Sequence, residues 1–290
     1  MGQGTVVVVV LSHRGSEQVA RLVERITAGA HSMAVIHHDP SGEPLRLRPS
    51  SSVALLPDPV ACRWGRLSLV EAQWKALHWV RANVPDFSWV LLVSGQDYPI
   101  RPMTAIEAEL AASPHDAYLR HFFVGPDPAT DEISWQGLTR RRYLYKRRLP
   151  FSHRSVPLPM RRRDPFRGDV GLYVGDMWFN LSARAVHGML DAGPLAERLL
   201  RYLRFAPIPD EAFVSSLALN VRPELDVARD SKRFIRWGTR QPHPELITAA
   251  HLDDLRSSTA FFARKVDADR HPEVPDLLDA LAAERPTAAS

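Results

Sequence analysis

Apolar residues in the first hundred positions come in short runs between polar loops, and the runs alternate between two periods. "TVVVVVL", residues 5–11, is continuous and β-branched, the pattern of a strand buried on both faces. Beyond it, Val19, Leu22, Val23 and Ile26 recur at helical spacing, with Ser16 placed to cap that helix. "MAVIHHD" (33–39) and "SVALL" (52–56) read as two further short strands. A helix is predicted to open at Ser68 and to run through Leu69, Ala72, Leu77, Val80 and Ala82. The apolar run 89–93 is the next strand, closed by the Gly- and Pro-containing loop "SGQDYPI", and residues 102–112 give another helix. This alternation predicts an α/β fold, a mainly parallel central sheet with helices on both faces.

The middle of the chain loses that rhythm. Residues 113–168, most plainly from 120 onward, are rich in Arg, Pro and aromatics and weakly periodic, which predicts long loops with short helices and a lid over the substrate. "GLYVGDMWFNLS" (171–182) returns to strand character, and 183–190 and 196–203 read as helices. "PDEAFVSSLAL" (209–219) predicts a helix with Pro209 at its start and Asp210 and Glu211 in its first turn, where negative charge is favoured. "RFIRW" (233–237) is a strand. The closing "AAERPTAAS" is short of large apolar residues and reads as disordered. With no repeat and no linker, the expectation is one domain over 1–282 and a disordered tail over 283–290.

Composition narrows the class. Apolar residues make up 45% of the 290 and charged residues 24%, ordinary for a globular protein. A single cysteine, Cys62, excludes an internal disulfide framework and fits a reducing compartment. No apolar run approaches the roughly 20 residues that span a bilayer, and the first strand lacks the flanks of a signal peptide. The expectation is a cytoplasmic protein without a transmembrane segment. The formal charge of +4 is unevenly spread: "RRRYLYKRRLP" and "RRRDPFR" concentrate arginine between 140 and 167. No nucleic-acid motif accompanies them, so a solvated loop or a surface for an anionic small molecule is expected, and no nucleic-acid partner.

Several chemistries are missing. There is no P-loop, no GxGxxG and no zinc spacing, and the Ser-His pairs lack a nucleophile elbow. His37 and His38 are adjacent on a strand and point to opposite faces, so they do not chelate one ion. The only acid-x-acid triplet of note, "DAD" at 267–269, lies near the chain end. Three features remain: strand-end carboxylates Asp39 and Asp97, the acid pair Asp210 and Glu211, and the late cations Arg233, Arg236, Arg240 and Lys265. Singly, each has an ordinary reading as a turn cap, a helix-dipole partner or a surface ion pair. Together they suit a glycosyltransferase, which needs a base for the acceptor hydroxyl and positive charge for a leaving diphosphate.

Eight stretches stand in an order that resembles the core-2/I-branching β-1,6-N-acetylglucosaminyltransferase family, which includes peptide xylosyltransferases. They are "VVVLSHRGSEQVARLV", "VIHHD", "RWGRLSLVEAQWKAL", "LLVSGQDYPI", "VGDMWFNLS", "PDEAFVSSLALN", "RFIRWGTRQPHPEL" and "STAFFARKVD", covering roughly residues 5–268. The resemblance implies a GT-A-like nucleotide-binding sandwich and inverting transfer from a UDP-sugar, with a basic pair in place of a metal and no cofactor. It implies Glu211 as catalytic base, Asp39 near the uridine, and Lys265 on the diphosphate with Arg233 as partner, Arg236 and Arg240 standing close enough to compete. It places Asp97 and Trp178 where donor and acceptor sugars meet, Trp178 on the acceptor side. Asp97 then either bonds a sugar hydroxyl or fixes its own loop. GlcNAc and xylose are the implied sugars, and a glycan, a peptide or a small molecule the implied acceptor. The competing class is an inactive module of this fold that binds an anionic glycan or nucleic acid through 140–167.

Overall fold

The computed structural model describes residues 4–124, 142–148, 156–161, 170–238 and 243–285. Its centre is a sheet of seven strands. Strand β1 (Thr5–Ser12) lies between β2 (Ser32–His38) and β4 (Phe87–Ser94), parallel to both, and β3 (Val53–Leu55) pairs with the far side of β2. Strand β9 (Tyr173–Ser182) runs antiparallel between β4 and β6 (Ala117–Phe123), and β10 (Val227–Ala228) closes that edge.

The unbroken valine run of β1 follows from two covered faces. Val6, Val8 and Val10 pack with Val19, Leu22 and Ile26 of helix α1 (Ser16–Thr27) and with Ile106 of α3 (Met103–Ala111). Val7 and Val9 face the opposite core, built on α2 (Leu67–Asn83) and α4 (Ala183–Asp191), which also takes in α5 (Gly193–Leu203) and α6 (Asp210–Ala218). Period-2 alternation is absent because neither face meets water.

From β1 the chain winds outward through β2 and β3, then returns to β4 on the other side of β1. The order of strands therefore reverses between β1 and β4, and such a switch point opens a crevice at the strands' carboxyl ends. Beside it sits a second sheet of three strands, in which β12 (Phe262–Arg264) pairs antiparallel with β5 (Asp97–Pro99) and parallel with β11 (Arg233–Ile235). Tyr98, Ile100 and Val266 pack there on Leu278 of α8 (Val274–Ala283), a helix that the sequence reading left out.

Three expectations change. Helix α1 does start at Ser16, but its cap is Gly15, held at φ 66°, and Ser16 Oγ accepts from the Arg46 amide at 2.7 Å instead. Within 113–168, β6 and the hairpin of β7 (Tyr145–Arg148) and β8 (Val156–Arg161) stand where loops and short helices were expected. Residues 125–141, 149–155 and 162–168 of that segment, Arg162 and Arg163 among them, lie outside the described residues. At the carboxyl end α8 reaches Ala283, and Arg285 donates to the carbonyls of Leu255 (2.5 Å), Arg256 (2.7 Å) and Ser258 (3.0 Å). Those carbonyls lie at the end of helix α7 (Leu252–Ser257), where Leu255 also accepts from the Ser258 amide at 3.1 Å, and they dock the chain through residue 285.

Candidate active site

The crevice holds a cavity of about 430 Å³ between the ends of β1, β2 and β4. Ser12, Asp39, Ser94, Trp178, Asp210 and Arg264 are among its walls. Asp39 is locked there: Oδ1 accepts from the Ser41 amide at 2.8 Å and the Ser41 hydroxyl at 2.6 Å, and Oδ2 from the Cys62 amide at 2.9 Å. Burial works against its ionisation, but these bonds outweigh it and hold its pKa below the usual range. The Asp39 turn sits so close that a Cβ on Gly42 would overlap the His13 carbonyl, so glycine shapes this wall. Burial pushes the Cys62 thiol up to about 12, which removes it as a nucleophile.

Asp97 is fully buried. Its Oδ2 accepts from the Ser94 amide (2.7 Å), the Ser94 hydroxyl (2.5 Å) and Arg264 Nη1 (3.1 Å). These bonds brace the loop through Oδ2, while Oδ1 is buried with no hydrogen-bond partner among the described residues, and Ser94 and Arg264 rather than Asp97 line the cavity. Arg264 also donates to Ser94 Oγ at 2.6 Å and stacks over the Trp178 ring at 4.6 Å. Among the described residues it is the one Arg or Lys that lines this cavity, and the sequence did not single it out although it adjoins Lys265 in "FFARKVD". The missing signal was the pairing of Arg264 with Asp97 across β12 and β5, strands far apart in the chain.

Lys265 follows directly, half-buried, and among the described residues its ammonium has no hydrogen-bond or ion-pair partner. Burial first, then the charges of Arg264 and Arg14, lower its pKa. Arg233 is elsewhere. Its guanidinium donates to the carbonyls of Leu92 (2.5 Å) and Lys232 (3.2 Å), lies 4.7 Å over the Phe262 ring, and is pushed down to about 10 by burial. It lines a second pocket of about 240 Å³ rather than the main cavity. Arg236 is exposed and pairs with Asp254 at 2.9 Å, while Arg240 lies outside the described residues.

The first turn of α6 carries the acids. Asp210 lines the main cavity, and burial raises its pKa to about 6. Glu211 Oε2 accepts from Arg142 Nη1 at 2.6 Å. Burial raises the Glu211 pKa to about 7, aided by the charges of Asp210 and Asp176 and opposed by Arg142. Arg142 thus brings part of the "RRRYLYK" stretch onto the carboxylate, a contact the sequence did not reveal.

A bulge in β9 lies between the two pockets. Leu119 pairs with Phe179 and His121 with Gly175, so Asp176, Met177 and Trp178 together oppose Arg120. A Cβ on Gly175 would overlap the Arg120 carbonyl. The bulge re-aims side chains: Met177 and Trp178 line the main cavity and Asp176 the second pocket. Among the described residues no three of His, Cys, Asp and Glu group into a metal-holding cluster.

A GT-A-like α/β sheet with a cavity at its switch point, acids in an adjoining helix turn and a cation on an aromatic wall define a glycosyltransferase. The chain belongs to the Core-2/I-Branching enzyme family, whose family model matches residues 9–256. No curated protein matches the chain at a significant level.

Proposed function

We propose that this enzyme transfers a sugar, GlcNAc or xylose, from a UDP-sugar to an acceptor hydroxyl with inversion and without a metal ion. The observation that carries the reading is Glu211, a carboxylate held by Arg142 at 2.6 Å and raised by burial to about 7, next in the helix turn to Asp210 of the cavity wall. A base titrating near neutrality combines an ionised fraction with enough basicity to take a proton. In one displacement, Glu211 takes the hydroxyl proton, the acceptor oxygen bonds to the anomeric carbon, and the bond to the UDP β-phosphate breaks. The leaving diphosphate gains negative charge, and the adjacent cations Arg264 and Lys265 offset it. Asp39, fixed by Ser41 and Cys62, faces the uridine side, and Trp178 faces the sugars. Arg264 replaces Arg233 as partner of Lys265 in this reading, because Arg264 lines the cavity and the Arg233 guanidinium is held by backbone carbonyls.

The test is UDP release from a panel of UDP-sugars in the presence of chelator. Release from one donor, with the rate unchanged within roughly twofold (about 0.4 kcal/mol in barrier) by excess EDTA, is expected. Loss on chelation that manganese restores would contradict the metal-free step, and the absence of release from every donor would leave a binding module.

A further inference from the structure

The second pocket has a composition that the transfer step does not use. Arg120 and Arg229 both stack on Phe122, at 5.6 Å and 4.2 Å from the ring centroid. Arg229 is further fixed by its Nε donating to the His121 carbonyl at 2.8 Å. Both side chains are exposed at the pocket mouth, and among the described residues neither has a carboxylate within ion-pair distance. The pocket's two acids are engaged elsewhere: Asp176 accepts from the Ser231 hydroxyl (3.0 Å) and the Trp178 amide (3.1 Å), and Asp230 from the Lys232 amide (2.8 Å). Deeper in, Arg233 Nε is buried with no hydrogen-bond partner among the described residues. Three guanidinium groups thus converge on a space of about 240 Å³ with donors left over. Planar forks held by an aromatic ring are pre-organised for carboxylate or phosphate oxygens.

The pocket also adjoins the main cavity. Asp176 of its wall and Trp178 of the cavity wall stand two residues apart in β9, and the Trp178 amide donates to Asp176 at 3.1 Å. The bulge separates it from the cavity assigned to the donor. We propose that Arg120, Phe122 and Arg229 form an acceptor subsite, and that the acceptor is a sugar derivative carrying a carboxylate or a phosphate. This rests on the transferase reading above and names its acceptor class.

The test is titration of the UDP-saturated protein with glucuronate, glucose 6-phosphate, glucose and inorganic phosphate, repeated on Arg120→Gln/Arg229→Gln and Arg120→Lys/Arg229→Lys. At least one anionic sugar is expected to bind about tenfold or more tighter than glucose, and to lose that margin in the Gln pair while the Lys pair keeps part of it. Which of the two anionic sugars binds identifies the group recognised. UDP affinity should not change in either pair. Equal binding of anionic and neutral sugars to the wild type would overturn the proposal, whatever the variants do. So would wild-type-like anion binding by the Gln pair, inorganic phosphate binding as tightly as the phosphosugar, or a tenfold loss of UDP affinity, which would move the pocket to the donor. If the wild type binds no UDP, the transferase reading fails, and the same titrations run without UDP still decide the anion site.

Discussion

Glu211 sits between opposed influences: burial and two neighbouring acids raise its pKa, and Arg142 lowers it. Removing Arg142 therefore leaves the base harder to ionise. Arg142→Gln should move the acid limb of the kcat/KM–pH profile above about 7, lowering activity at neutral pH and restoring much of it at higher pH. An unmoved limb would separate Glu211 from the observed titration. Asp97 makes a different case. Its removal leaves Arg264 without its anion and Ser94 without its acceptor, so Asp97→Ala should cost on the order of 3 kcal/mol in urea unfolding. A change within a few tenths of a kcal/mol would show that the brace is dispensable. The acid pair was legible in sequence because a Pro-Asp-Glu start before an apolar helix is a local pattern. Arg142 and Arg264 were not, since each meets its carboxylate across a long stretch of chain.

Among the elements, the β9 bulge organises the site. It brings the adjacent Met177 and Trp178 into one cavity, which regular alternation would not do, and leaves Asp176 to the second pocket. Gly175 permits it by leaving room for the Arg120 carbonyl. Gly175→Ala should push the two strands apart and destabilise the fold by about 1 to 3 kcal/mol, the range for overpacking, seen as a lower melting temperature. An unchanged melting temperature would mean that β6 gives way without loss. Strands β1, β2 and β4 were readable because burial on both faces leaves continuous apolar runs. Strand β6 carries Arg120 and His121 beside an exposed Phe123, so its apolar pattern breaks off halfway. The Ser16 cap failed because serine and glycine both serve at a helix start, and the backbone at Gly15 needed φ above zero.

At the scale of the whole molecule, the acid cluster sets function against stability. Burial raises Asp176 and Asp210 to about 6 and Glu211 to about 7. A folded-state pKa above the unfolded value means that the contribution is present below the ordinary carboxylate range and is lost as pH rises through about 7. Glu211→Gln does not ionise, so its urea midpoint should gain on the wild type between about pH 5 and about pH 8. A constant difference would place the Glu211 pKa near its ordinary value. The parallel core was visible in the sequence. The three-stranded sheet was not, because its strands are three residues each and pair over long separations. The most direct test of the whole account is the rate of UDP release from the preferred UDP-sugar by wild type and Glu211→Gln, with UDP affinity measured on both. The account predicts a rate lower by about 10² to 10⁴ in the variant with UDP binding retained. Wild-type turnover in Glu211→Gln would contradict it.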